Sequence, residues 1–388
     1  MPTAAARLRL VDRAAETSHG VQRPWAQWNP GGQRYTIGVE EELMLLTPRD
    51  HALAQSGDEV LARLSHELKA RMSVETHAAV LELATGIHRD VSAATTELAS
   101  LRAQLAHELG RMGLRPASAG TYPLAGVDDI RVSAGARYGM VAATMRSLAR
   151  RHPTMALHVH VGVPAPDEAI RLLNAFREVV PVLLSLAANS PFCDGQDTGF
   201  ASMRTAIFQT FPRTGTARRF DSYNEYVEAV DPLIGSGALP DPTFLWWDVR
   251  LQPALGTVEV RVMDAQTTVA DSSPLIALIQ SIAHLVLEGR WRDRHSSPEV
   301  LTENRFLAAR DGLDARLIDP DTRRLVPVRA LAEALARRCR PHAAALGCAD
   351  ELDAIERLAT TNGADRQRVR ARAGGLSQVM STMAAQFA

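Results

Sequence analysis

The sequence predicts an α+β fold in which a mainly antiparallel sheet has one polar face and is backed by helices. Three observations predict it. Strand-like runs recur at residues 35–46, 79–85, 155–163 and 257–263, with helical spacing between them. Inside these apolar runs ionisable side chains stand two apart, and residues i and i+2 of a strand share a face. From 272 onward the chain reads as mostly helical to its end.

The elements follow in order. Residues 1–33 are polar and Ala/Arg-rich, end in the turn cluster "WNPGGQ", and read as a flexible N-terminal arm. "YTIGVEEELMLL" (35–46) has strand character and stops before Pro48. Helical spacing follows at 57–71, then a strand in "AVLELAT" (79–85). "SAATTELASLRAQLAHELGRMG" (92–113) has the apolar spacing of a helix and ends at Gly113. "RPASAGTYP" (115–123) reads as a strand entering a loop, and 136–151 as a helix. The strand "MALHVHVGV" (155–163) leads into a long helix, 167–190, which Pro181 is expected to kink. Residues 191–215 are rich in turn formers yet hold Arg204 and Arg213, the pattern of a loop that covers something. "FLWWDVRLQP" and "GTVEVRVMD" flank a short turn and read as a β-hairpin. The apolar run 274–287 is short and interrupted by Gln280 and His284, so it reads as a buried helix rather than a membrane span. No internal repeat divides the chain, and residues 34–388 are expected to form one catalytic domain with a helical C-terminal third.

Bulk properties exclude several classes. With 46% hydrophobic and 22% charged residues among 388, the chain has the composition of a globular protein. Its net charge of −1 gives no electrostatic reason to expect nucleic acid or an anionic membrane as partner. Lys69 is the only lysine, so any cation that grips phosphate or acts in catalysis must be Arg. The odd, scattered set Cys193, Cys339 and Cys348 argues against a disulfide framework and for a reducing compartment. The N-terminus lacks a continuous apolar stretch, so a cytoplasmic location is expected.

The alternation carries the chemistry. "GVEEEL" puts Glu40 and Glu42 on one face and turns Glu41 away; "VLEL" supplies Glu82. "HVHVG" pairs His158 with His160, and "VEVRV" pairs Glu259 with Arg261. Taken singly, ExE reads as a solvated strand face, HxH equally as satisfied core histidines, and ExR as a surface ion pair. Spacing alone makes Glu75, in "SVETH", a solvated loop acid. Their joint occurrence inside apolar strands points elsewhere, because buried ionisable groups are costly unless paired or metal-bound. Carboxylates with a histidine, flanked by arginines, suit divalent cations and phosphates. No phosphate loop, GxGxxG after a strand, GxSxG or HExxH is present.

"YTIGVEEELMLL", "LELATGIHRDV", "LHVHVGVP", "NSPFCDGQDTGFASMRTAIF", "FLWWDVRLQPALGTVEVRVMDAQTT" and "GLDARLIDP" together resemble the YbdK-type carboxylate-amine ligases. That family lies in the glutamate–cysteine ligase type 2 group of the glutamine synthetase-like superfamily. The resemblance runs from Tyr35 to near the C-terminus. It implies a curved, mainly antiparallel sheet whose concave face binds ATP with Mg²⁺ or Mn²⁺, and weak glutamate–cysteine ligase activity. By resemblance, Glu40, Glu42, Glu75, Glu82, His158 and Glu259 are metal ligands. His160 lies near the nucleotide phosphates, Arg261 faces a phosphate, and Arg204 grips a substrate carboxylate. Thr85 and Arg89 are further substrate-side candidates, and a homo-oligomer is expected. The implied reaction phosphorylates a carboxylate with ATP, and an amine such as that of cysteine then attacks the acyl phosphate. Two rival readings remain at this level: a metal-dependent phosphoryl transferase on the same architecture, and a non-catalytic nucleotide or metal binder.

Overall fold

The structure, a computed structural model, describes residues 23–31, 33–125 and 130–388. Its centre is a seven-stranded sheet made from β1 (Ile37–Leu46), β2 (Met72–Val74), β3 (Val80–Ala84), β4 (Arg115–Ala117), β5 (Ala156–Gly162), β10 (Val249–Gln252) and β11 (Thr257–Asp264). The order is β10–β11–β5–β1–β3–β2, with β4 paired to the end of β1, and every pairing is antiparallel. The expected hairpin is β10–β11.

Alternation sorts the two faces. Val39, Leu43, Leu81, Leu83, Leu157, Val159 and Val260 point to one side and are almost completely buried. Each such side chain contributes about 1.5–3 kcal/mol on leaving water. They pack under three helices: α3 (Val91–Arg111), α5 (Pro166–Ala187) and α8 (Val269–Leu287). Asp90 caps α3 by accepting from Ala93 N at 2.7 Å, and Thr268 caps α8 by accepting from Asp271 N at 3.2 Å. Pro181 sits inside α5 without ending it. Among the described residues α8 is the one helix long and apolar enough to cross a membrane, and most of it is buried within the protein.

One irregularity shapes the sheet. β11 pairs with β5 in one register up to Val260↔Val159 and in another from Met263↔Leu157. Arg261 and Val262 therefore oppose His158 together, a β-bulge. Arg204 braces it from the side, donating from Nη2 to the Arg261 carbonyl and from Nη1 to the Val262 carbonyl, both at 3.1 Å.

Four expectations need correction. Residues 1–22 of the arm lie outside the described residues, but 23–31 are tied to the body. Trp25 Nε1 donates to Asp231 at 3.1 Å and Trp28 Nε1 to the Val163 carbonyl at 2.9 Å, so two indoles hold a stretch read as flexible. Residues 191–215 are not plain loop: they contain β6 (Phe192–Cys193), β7 (Gln196–Asp197) and α6 (Met203–Phe208). Ser190 and Ser202 both donate to the buried carboxylate of Asp264, which anchors this segment to the end of β11. The C-terminal third includes a hairpin, β12 (Arg316–Asp319) with β13 (Arg324–Pro327), too short to show alternation in sequence. Glu75 is half-buried and lines a cavity with the other acids, not a solvated loop.

Candidate active site

The polar face of the sheet is the floor of a cavity of about 380 Å³. Strand register assembles it. Glu40 lies opposite His158, Glu42 opposite Glu82, and Glu259 opposite His160. Glu40, Glu42, Glu75, Glu82, His158, His160, Arg204, Glu259 and Arg261 all line it. Thr85 and Arg89 do not: they line an adjoining cavity of about 610 Å³, which shares Glu40, His160 and Leu255 with the first. Arg89 there donates to Gln33 Oε1 at 2.6 Å.

The acids divide into two groups. Glu259 is fully buried and saturated. Arg250 donates to both its oxygens at 3.0 and 3.1 Å, Gln252 adds a bond at 2.6 Å, and Arg261 donates as well. Burial pushes its pKa up, but the two guanidiniums prevail and hold it well below the carboxylate range. Burial likewise pushes Glu40 up, while hydrogen bonds from His158 and His160 bring it below its ordinary value.

Glu42, Glu75 and Glu82 are the opposite case. Burial, and then the charge of Glu75, raises Glu42 to about 8, although Ala156 N donates to it at 2.7 Å. Burial also raises Glu75. Glu82 is raised well above its usual value by burial and by the charges of Glu40, Glu75 and Glu42. Three acids thus crowd together with too little positive charge to ionise them all.

The histidines are poised between the groups. His158 Nδ1 lies 3.3 Å from Glu40, and its Nε2 lies 3.9 Å from Glu42. Burial and then Arg261 lower its pKa to about 4, so its imidazole is neutral at neutral pH. His160 Nδ1 meets Thr257 Oγ1 at 3.0 Å. The His158 Nε2 is buried without a hydrogen-bond partner, whereas that of His160 lies 3.4 Å from Glu40. Ligand atoms of Glu42, Glu82 and His158 lie within 4.8 Å of one another, as do those of Glu40, His158 and Glu259. Hard oxygens in excess, an orphaned imidazole nitrogen and elevated carboxyl pKa values fit a divalent cation.

Sequence reading passed over several contributors. Arg250 and Gln252 alternate with Val249 and Leu251 just as Glu259 and Arg261 alternate on the partner strand, so the signal was present in "VRLQ". Ser73, which donates to Glu82 at 3.2 Å, and His77, whose buried Nε2 is unpartnered, gave none. Arg204 faces the cavity, yet two of its nitrogens are engaged with the bulge carbonyls, so it also positions Arg261.

Fold and site together place this chain in the architecture of the glutamate–cysteine ligases. It aligns with a glutamate–cysteine ligase of Francisella tularensis solved in complex with AMP, with a TM-score of 0.67 at 15% identity, covering 91% of this chain and 88% of that one. The sequence makes the assignment specific: the chain belongs to glutamate–cysteine ligase family 2 (GCS2), whose profile matches residues 36–382. A relative from Rubrobacter xylanophilus, named "Putative glutamate–cysteine ligase 2-1", is 41% identical over 342 residues, 87% of this chain and 90% of its own. A glutamate–cysteine ligase 2 relative of like name from Gloeobacter violaceus is 36% identical over 339 residues, 86% and 91% of the respective lengths.

Proposed function

We propose that this protein is an ATP-dependent carboxylate–amine ligase that joins glutamate, or a related acid, to an amine such as that of cysteine, with weak activity on that pair. The observation that carries the reading is the crowding of Glu42 and Glu82 around His158, whose Nε2 is unpartnered, with Glu75, Arg261 and Arg250 on the same floor. Glu40, Glu42, Glu75, Glu82 and His158 are the residues that would hold Mg²⁺ or Mn²⁺, and Glu259 would join them by releasing one of its guanidinium donors. Such ions, when bound, screen the charge of the ATP phosphates.

The chain's own groups do the rest. A carboxylate oxygen of the acid attacks the γ-phosphorus of ATP, the bond to the β-phosphate oxygen breaks, and ADP leaves. Arg261, held by Glu259, offers a fixed positive charge to the transferring phosphoryl group. The amine then attacks the acyl phosphate, losing a proton and expelling phosphate. Arg204, buried at the cavity wall, is the substrate-side cation, and Thr85 and Arg89 line the neighbouring space. The buried wall keeps water from the acyl phosphate. Residues 34–388 act as one catalytic unit in this reading, and the free, buried thiols suit a reducing cytoplasm.

The test is ADP release from ATP, glutamate and cysteine with Mg²⁺ or Mn²⁺. Amide and ADP should form in equal amounts, and Glu42→Gln and Glu259→Gln should each lower the rate by roughly 10²–10³-fold without unfolding the protein. Ligation retained in both variants would remove these residues from the mechanism. ADP formation with a phosphorylated acceptor and no amide, across an amine panel, would favour a phosphoryl transferase.

A further inference from the structure

Behind α6, whose Arg204 faces the catalytic cavity, stands a second group of ligand-bearing side chains that ligation does not use. Cys193 and Asp194 come from the β6–β7 hairpin, and His152 from the segment that enters β5. Asp194 and Gly195 both have positive φ, 52° and 75°, the signature of a tight two-residue hairpin turn. That turn sets Asp194 beside Cys193 and toward His152, whose Nε2 lies 2.9 Å from Asp194 Oδ2. One ligand atom from each of the three residues lies within 4.8 Å of the others. His152 Nδ1 is buried with no hydrogen-bond partner, and Cys193 is 5% exposed. The group borders a cavity of about 370 Å³ that Met203 and Ile207 of α6 also line.

We propose that His152, Cys193 and Asp194 form a binding site for a borderline-soft divalent cation of the zinc class, with the fourth coordination position open to the adjoining cavity. Thiolate, imidazole and carboxylate are the donor types that zinc accepts, and three protein ligands with one open position is an established tetrahedral arrangement. A tetrahedral zinc sets its sulfur and nitrogen ligands roughly 3.5 Å apart, so these side chains need to draw in by little more than about an ångström at most. The thiol is not poised for redox chemistry. Burial first, and then the Asp194 charge, raise it to about 11. A cation reverses that balance: the Cys193 S–H bond breaks, an S–metal bond forms, and one proton goes to solvent per ion bound. The thiolate and imidazole also separate this site from the catalytic floor, whose acids take hard cations. An ion here would pin the segment entering the His158 strand to the hairpin that precedes α6, outside the catalytic cavity.

Cobalt titration of the chelator-stripped full chain, in excess Mg²⁺ to occupy the carboxylate site, tests this directly. The expected result is about one equivalent of Co²⁺ with a thiolate-to-cobalt charge-transfer band and tetrahedral ligand-field bands. Zn²⁺ should bleach them, and further Mg²⁺ should not. Cys193→Ser should abolish the charge-transfer band, and the surface changes His152→Gln and Asp194→Asn should each weaken Co²⁺ binding by roughly tenfold or more. No charge-transfer band, or a band that survives Cys193→Ser, overturns the site. If Cys193→Ser does not fold, alkylation of the wild type decides: Zn²⁺ must slow labelling at Cys193, and unchanged labelling refutes the proposal.

Discussion

On β1, Glu41 points to the helices and Glu42 to the cavity, one residue apart. Glu41 is 2% exposed and fully provided for. Arg102 donates to it at 2.8 Å and Ser272 at 2.7 Å. The remaining guanidinium N–H groups reach the carbonyls of Gln266, Thr267 and Phe387, and the group lies 4.7 Å over the Phe387 ring. Glu42 has a single backbone donor and neighbours of its own charge, and its pKa rises to about 8. The lesson is about satisfaction rather than burial. A buried acid with all its partners belongs to the architecture; a buried acid short of positive charge is prepared for something that arrives later.

The largest expected effect breaks the satisfied side. Arg102→Met strands the Glu41 charge in the core and should lower unfolding free energy by about 3–5 kcal/mol in urea titration. Adding Glu41→Leu should restore a large part of it. No recovery in the double variant would mean that Arg102 acts mainly through the three carbonyls.

A smaller effect sharpens the under-satisfied side. Glu42 in the folded, metal-free protein holds its proton to about pH 8 against an ordinary value of 4.5. Folded protein therefore binds more protons than unfolded across that window. Its contribution to stability is full below pH 4.5, falls as pH rises, and is gone above about 8. The slope approaches about 1.4 kcal/mol per pH unit for one whole proton. Thermal melts in chelator should show this decline, Glu42→Gln should flatten it, and Mn²⁺ should oppose it. A stability that rises with pH between about 6.5 and 8, above the range where His158 and His77 take up protons on unfolding, would contradict the description of the cavity.

The smallest effect is a control for burial. Arg340 and Asp353 meet at 2.6 Å, as close as Gln252 and Glu259 in the site, but about half exposed. Arg340→Ala should change unfolding free energy by less than about 1 kcal/mol. A loss equal to that of Arg102→Met would show that proximity, not solvent exclusion, sets these energies.

Most of the cavity's polar floor was legible because strand alternation is local: a period of two in "VEEEL", "LEL", "HVH" and "VEVRV" fixes which side chains share a face. Glu75 needed the fold, since its place depends on β2 turning back along β3. What alternation cannot reveal is who answers each charge. Arg102 lies 61 residues from Glu41, and Ser272 lies 231 away. His152 and Cys193 belong to separate elements and meet only through the packing of a hairpin turn. The clasp of Trp25 and Trp28 was hidden for a different reason, because a polar, Gly-rich context outweighs two indoles in any local reading.

The bulge at Arg261 and Val262 changes the phase of β11. Ahead of it, odd-numbered residues such as Glu259 face the cavity; beyond it, Asp264 pairs with Ala156 and takes that same face. Two acids five positions apart, which a regular strand would send to opposite layers, thereby serve one side of the sheet. Losing a single residue at this point would straighten the strand and leave Asp264 opposite Ala156 on the same face, but it would remove one of the two adjacent carbonyls that Arg204 grips. Exchanging a side chain here alters only its local chemistry. The extra residue therefore serves the grip of Arg204 on the strand, while the pairing with β5 on either side keeps both acids on one face.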